Sequence, residues 1–364
     1  GEEAGRLLAE TARRLGGRPW GAGVLGFAPR EIRAAQLEAI RLARPPYALI
    51  AGGRPAQAAP LEEAGIATYL HVPSPALLER FLAEGARRFV FEGMECGGHI
   101  GPRAAFPLWE AQVDVLLAFL AEHPQEAART SVAFAGGVHD ARSAAMVAAL
   151  AGPLAERGVQ IRVLMGTAYL FTEEAVATGA IVPGFQQVAV ECERTVLLET
   201  APGNAVRCAH TPYADAFQRA RRDLAASGVP RQEVWAKLER HNLGRLRLAS
   251  RGLRREGEEL RQIEGTEQYR EGMFMMGQAA VLRSAVTTIA DLHEQVSAGA
   301  GAFLAERARR LRSAPEEEPA PRPLDIAIVG IGCAFPGARD AEEYWANVLC
   351  GADAVTEVPG GRRD

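Results

Sequence analysis

Residues 88–101 read RFVFEGMECGGHIG: a short apolar run, Phe89-Val90-Phe91, and, after Glu92-Gly93-Met94-Glu95-Cys96, two adjacent glycines, an imidazole and, past Ile100, Gly101. Continuous apolar runs of this length are the mark of parallel strands buried on both faces. Gly97-Gly98 allows backbone to lie flat against a bulky ligand, and His99 is the side chain best suited to move a proton near neutral pH. The pattern recurs downstream. Ser131–Ala135 ends in Gly136-Gly137, and Gln160–Leu164 ends in Met165-Gly166-Thr167. Three successive strands therefore end in backbone that tolerates a close ligand, and the C-terminal ends of strands are where parallel barrels carry their chemistry.

Outward from these strands, apolar runs alternate with helical periodicity from residue 1 to about residue 180. Strands are expected at 20–27, 47–51, 67–72, 88–92, 131–135 and 160–164, with helices at 29–44, 75–85 and 108–123 between them. The spacing predicts an α/β fold, a (β/α)8 barrel lacking its N-terminal strands, in preference to an open doubly wound sheet. Gln186 to Tyr213 reads as irregular, and 212–227, 230–242 and 267–284 read as helical. A last helix is expected from Thr288, whose hydroxyl and Asp291 form a capping-box pattern.

Residues 313–323, SAPEEEPAPRP, have the Pro- and Glu-rich composition of a semi-rigid spacer. After it, Leu324–Cys333 reads as a strand entering a Gly-rich turn, and Ala341–Leu349 as a helix. Gly330, Gly332 and Gly337 do not have the spacing of a dinucleotide-binding loop. The expected organisation is a barrel over 1–184, a mainly helical segment over 185–312, the spacer over 313–323 and a new domain from 324. The helix at the start and the abrupt stop at Asp364 make the chain an expected piece of a longer protein.

A net charge of −4, with charged residues at 24% and spread through every segment, argues against nucleic acid as a partner. No apolar stretch approaches bilayer length and no signal-peptide pattern opens the chain, so a cytoplasmic protein without membrane contact is expected. Five widely spaced cysteines include no C-x-x-C pair, which predicts reduced thiols and no metal site. Cys96 reads as a small buried residue. Met273-Phe274-Met275-Met276 reads as the apolar face of a helix. His71 and His139 are weaker candidates for the pocket than His99, and His123, His210, His241 and His293 read as surface residues.

The strings EGMECGGHIG at 92–101, VAFAGGV at 132–138 and LMGTAYLFTEEAV at 164–176, with Thr195-Val196-Leu197, Gly203 and Arg207 after them, resemble the nitronate monooxygenase (2-nitropropane dioxygenase-like) flavoproteins over roughly residues 18–220. The last forty residues, DIAIVGIGCAFPGARDAEEYWANVLCGADAVTEVP within them, resemble the start of a type I polyketide ketosynthase. That match stops short of the segment carrying such a synthase's nucleophilic cysteine, so neither Cys333 nor Cys350 takes that role.

Together the resemblances imply a piece of a polyketide or polyunsaturated fatty acid-type synthase in which the barrel is an FMN-dependent enoyl reductase. It would use NAD(P)H on acyl thioesters held by an acyl carrier protein, with other synthase domains and a second copy of itself, as a homodimer, for partners. A nitronate monooxygenase-like oxidase and an inactive scaffold barrel are the alternatives. The resemblance implies FMN contacts from Gly23, Glu92, Gly97, Gly98, Gly136, Gly137, Met165, Gly166 and Thr167, with His99 as the catalytic proton donor or base. Gly23 and Glu92 depart from the family's usual Asn and Gln. These assignments require the glycine pairs to converge on one cavity.

Overall fold

A computed structural model describes residues 2–313 and 330–355. Six parallel strands form one sheet: β1 (Gly21–Leu25), β2 (Tyr47–Ala51), β3 (Ala67–His71), β4 (Arg88–Glu92), then β6 (Ser131–Ala135) and β7 (Gln160–Leu164), in the order β1-β2-β3-β4-β6-β7. Neighbours in space are neighbours in sequence throughout, apart from the short β5 (Gly98–Ile100), which leaves the sheet. That unreversed order is the winding of a barrel and excludes the doubly wound alternative, which needs a switch point.

The sheet curls. Gly23 of β1 and Arg162 and Leu164 of β7 line one interior cavity of about 440 Å3, yet β1 and β7 are not paired. The described sheet is two strands short of the eight of a closed barrel. Val163 of β7 and Leu25 of β1 are exposed along the resulting seam.

Each strand splits its side chains between two cores because successive residues face opposite ways. Phe89 and Phe91 of β4 point outward into the main core with Phe134, whereas Val90 points inward with Tyr69 and Ala133. The outer face is covered by α2 (Arg30–Ala43), α3 (Pro55–Glu63), α4 (Pro75–Ala83), α5 (Ala105–Glu122) and α6 (Ala141–Glu156), preceded in the chain by α1 (Glu2–Leu15). Trp109 of α5 packs edge-on to Phe134 at 5.6 Å and donates its indole N–H to the Phe91 carbonyl at 3.0 Å, fixing that helix against the strand that ends at the site.

Past β7 come α7 (Glu173–Ala177) and α8 (Pro183–Val190), then a hairpin of β8 (Thr195–Ala201) and β9 (Asn204–Ala209) where irregular chain was expected. Its turn is Pro202-Gly203, with Gly203 at φ +75°. β5 pairs antiparallel with β9, so the sheet order is β5-β9-β8 and His99 stands opposite Val206. Alternation in this hairpin is blurred because both faces are partly covered, by α9 (Pro212–Ala226) and α10 (Arg231–Asn242) on one side and the barrel mouth on the other. A small unit follows: α11 (Arg245–Arg251), the hairpin β10 (Leu253–Glu256) and β11 (Glu259–Gln262), and α12 (Gly265–Glu271).

The helix expected over 267–284 stops at Glu271. A Cβ on Gly272 would lie 2.5 Å from the Gln268 carbonyl, and the chain continues as an extended strap, Gly272–Gly277, followed by a 3-10 turn at Gln278–Leu282. The strap is held by backbone bonds to β9, with Ala209 N donating to Phe274 O at 2.9 Å. α13 (Ile289–Glu294) begins as read from the sequence, the Thr288 hydroxyl accepting from Asp291 N at 3.0 Å, and runs through a π turn into α14 (Ala300–Ser313).

The expected spacer lies almost wholly outside the described residues, as does most of the strand expected at 324–333. The described end of that strand, Gly330–Cys333, is not strand, and Ile331 is exposed. α15 (Ala341–Cys350) is present, its Tyr344 stacked on Phe335 at 4.1 Å.

Candidate active site

The loops after β4, β6 and β7 meet around a cavity of about 240 Å3 lined by Glu92, Gly97, Gly98, Gly136, Gly137, Gly166 and Thr167 among others. Each glycine position has its own cause. Gly136 and Gly137 sit at φ +105° and +89°, and a Cβ on Gly136 would come to 3.0 Å from Gly93 N. At Gly97 a Cβ would come to 2.6 Å from the Met276 backbone. Gly166 has no such neighbour within 4 Å: the space beside it is the cavity.

Backbone amides share the polar lining with the Glu92, Glu95 and Thr167 side chains. Among the described residues, the N–H groups of Gly136, Gly137, Val138 and Gly166 donate to no protein acceptor. Unbonded amides converging in a concave turn form an anion-binding nest. The turn beneath them is locked: Asp140 caps α6 by accepting from Ser143 N at 2.8 Å, and the His139 ring holds the Gly137 carbonyl at 2.7 Å. His139 thus props the glycine turn from behind, as Arg283 does by donating to the His139 carbonyl at 2.6 Å.

The strap closes the opposite wall. Gly277 N donates to Thr167 Oγ1 at 2.8 Å and Gln278 N to the Glu95 carbonyl at 2.9 Å, while the Met275 side chain enters the cavity beside Gly98. Glu95, Met275 and Ala279 line the cavity but were missed in the sequence, where 273–276 reads as a helix face. Gly272 and Gly277 bracketing that run were the available signal of extended chain.

Three ionisable groups lie at the end of β4 and in the loop after it. Burial raises the Glu92 carboxyl, but the His71 Nδ1 contact at 2.8 Å, with help from Cys96, overcomes it and holds Glu92 below the usual carboxylate range. Glu95 is pushed the other way, mainly by burial, although its Oε2 accepts from Ala105 N at 2.8 Å. Burial first, and the neighbouring Glu92 charge second, drive the Cys96 thiol up, so it is a neutral packing group rather than a nucleophile. Behind them the buried Arg207 donates through Nε to the Met94 carbonyl at 2.9 Å and through a terminal nitrogen to Thr195 Oγ1 at 3.0 Å.

The remaining sequence candidates lie elsewhere. Gly23 lines the barrel interior instead. Met165 packs against the main core. His99 is exposed and lines a neighbouring cavity of about 450 Å3, where the Phe27 ring stands 6.1 Å from it. His71, ranked low from the sequence, faces that second cavity too, and Glu92 lines both.

Comparison with known proteins divides the chain. Residues 324–364 match the β-ketoacyl synthase N-terminal domain. Polyketide synthase PksN of Bacillus subtilis (strain 168) is 56% identical over 43 residues and polyketide synthase ThaQ of Burkholderia thailandensis 47% over 51 residues. The chain spans about 1% and 2% of the length of these two relatives. The rest is recognised by fold. FabK from Thermotoga maritima superposes with a TM-score of 0.63 at 21% identity, covering 83% of this chain and 82% of that one. Nitroalkane oxidase from Streptomyces ansochromogenes gives 0.55 at 18% identity, covering 82% and 85%. The fold is thus a barrel of this type, carried on one chain with a stretch similar to the start of a β-ketoacyl synthase N-terminal domain.

Proposed function

We propose that residues 1–184 and 185–312 form a flavin-dependent oxidoreductase module, joined through 313–323 to the ketosynthase start at 324–364. The observation that carries this reading is the convergence of Gly97-Gly98, Gly136-Gly137 and Gly166-Thr167 on one cavity at the strand ends. FMN fits that lining on chemical grounds: its dianionic phosphate needs several unshared N–H donors, and the amides of Gly136, Gly137, Val138 and Gly166 are unshared. Glu92, Gly97 and Gly98 would border the ring. When bound, the flavin supplies hydride transfer, with NAD(P)H as the source.

The chain's own residues would do the rest. His99, or a water it orients, protonates the carbon next to the thioester carbonyl, a contribution of about 10²- to 10⁴-fold from general acid catalysis. Met275 and the strap wall the cavity on the side of Gly98 and would limit the access of water to a bound ring. Enoyl reduction on a carrier protein is favoured over a nitronate oxidase by the ketosynthase start on the same chain, which raises the local concentration of carrier-bound acyl chains. We assign the module to the cytoplasm; among the described residues no helix is long and apolar enough to cross a membrane.

The test is the 364-residue chain mixed with FMN, NADPH and crotonyl-coenzyme A. Flavin binding with thioester-dependent NADPH loss, reduced in His99→Ala, is the expected result. Turnover of a nitroalkane without NADPH would transfer the module to the oxidase class, and failure to bind FMN would remove the flavin reading altogether.

A further inference from the structure

The second cavity, about 450 Å3, shares Glu92 with the first. Its walls are the loops after β2, β3 and β4 together with α4. Val72 and Phe81 of the main core lie beneath it, Leu77 and Ile100 are half-buried in its walls and Pro73 is an exposed wall residue, so the floor is apolar. Polar groups sit in two sets. One is exposed His99 with the half-buried His71–Glu92 pair on the side shared with the first cavity, and the other is exposed Arg54 with the Arg80–Glu84 pair at 2.8 Å.

We infer that this cavity is the acyl-chain site: the apolar stretch between Leu77, Phe81 and Ile100 takes the hydrocarbon tail of the thioester. The inference rests on the reductase reading only for its choice of ligand. Three features select this occupant. The floor offers hydrocarbon contact and little to satisfy the many polar atoms of a dinucleotide. The shared wall at Glu92 and the nearby His99 bring the head of such a chain to the first cavity. Two arginines against one glutamate leave the second polar set positive, which suits the phosphate on the arm by which carriers hold acyl chains.

Binding of saturated thioesters tests this without any turnover. The 364-residue chain is titrated with acetyl-, butyryl-, hexanoyl- and octanoyl-coenzyme A, and separately with FMN. Affinity is expected to rise about fourfold for each added CH2 until the cavity is filled. Leu77→Trp, which adds bulk on the α4 wall of the cavity, flattens that rise while FMN affinity stays within about twofold, since each tenfold is 1.4 kcal/mol and Leu77 does not line the first cavity. Should Leu77→Trp fail to fold, Ile100→Phe on the facing wall is expected to do the same.

No binding, an unchanged chain-length slope in both variants, or displacement of octanoyl-coenzyme A by NADPH overturns the assignment. Chain-length-dependent binding without NADPH turnover instead removes the reductase reading and leaves this site standing; turnover with length-independent affinity does the reverse.

Discussion

The two cavities that share Glu92 are built by opposite means. The first is made of backbone: glycine turns, unshared amides and a strap whose main chain touches Gly97. The second is made of side chains, with Leu77, Phe81, His71 and Arg80 supplied by a strand end and a helix. Backbone-built sites fail through single atoms of steric excess, whereas side-chain sites degrade by degrees. The difference also decides what could be read in advance.

The sharpest way to break the contrast is Gly97→Ala. With its Cβ 2.6 Å from the Met276 backbone, the strap must move, and a loss of about 2–3 kcal/mol is expected in urea unfolding. A melt unchanged by this substitution would show that the strap is not held against the glycines.

His71→Leu comes next. Glu92, whose carboxyl His71 holds low against burial, contributes stability above the ordinary carboxylate range that is lost as pH falls through its folded value. Without His71, burial outweighs the remaining Cys96 contact and the carboxyl rises. With both side chains 22% exposed, the expected cost is about 1–2 kcal/mol at pH 7, narrowing on acidification. Equal gaps at pH 7 and pH 4 would contradict the pairing.

Gly166→Ala separates stability from binding. Nothing lies within 4 Å of its Cβ, so unfolding should shift by no more than about 0.5 kcal/mol. FMN affinity should nevertheless fall by about tenfold, or 1.4 kcal/mol, because the methyl occupies ligand space. At the cap the expected loss is smaller than that binding effect: Asp140→Ala removes the acceptor for Ser143 N and costs about 1 kcal/mol of stability, measured by thermal melting.

The first cavity was legible because its requirements are local. A doublet of glycines at a strand end announces itself in seven residues, and the strands behind it were placed to within a residue or two, as at Arg88–Glu92 and Ser131–Ala135. The second was hidden because Leu77 and Ile100 meet across 23 positions and look like ordinary core residues in either context. His71 was undervalued for the same reason: its significance lies in a partner on the next strand. Residues 273–276 misled by composition, since an apolar run with methionines satisfies a helix face as well as a strap, and only Gly272 and Gly277 argued otherwise. Likewise the β8–β9 hairpin shows little alternation because neither face is fully exposed to water.

The strap has one further consequence. Thr167 and Gly277 are separated by 110 positions, yet their hydrogen bond closes the ligand wall, so nascent chain emerging through β7 still has an open mouth. Pocket completion therefore waits for the C-terminal third to dock, and occupancy by any ligand should slow amide exchange across Met273–Gln278. Proteolytic nicking near the β10–β11 hairpin would then be communicated to a site to which that hairpin contributes no lining residue.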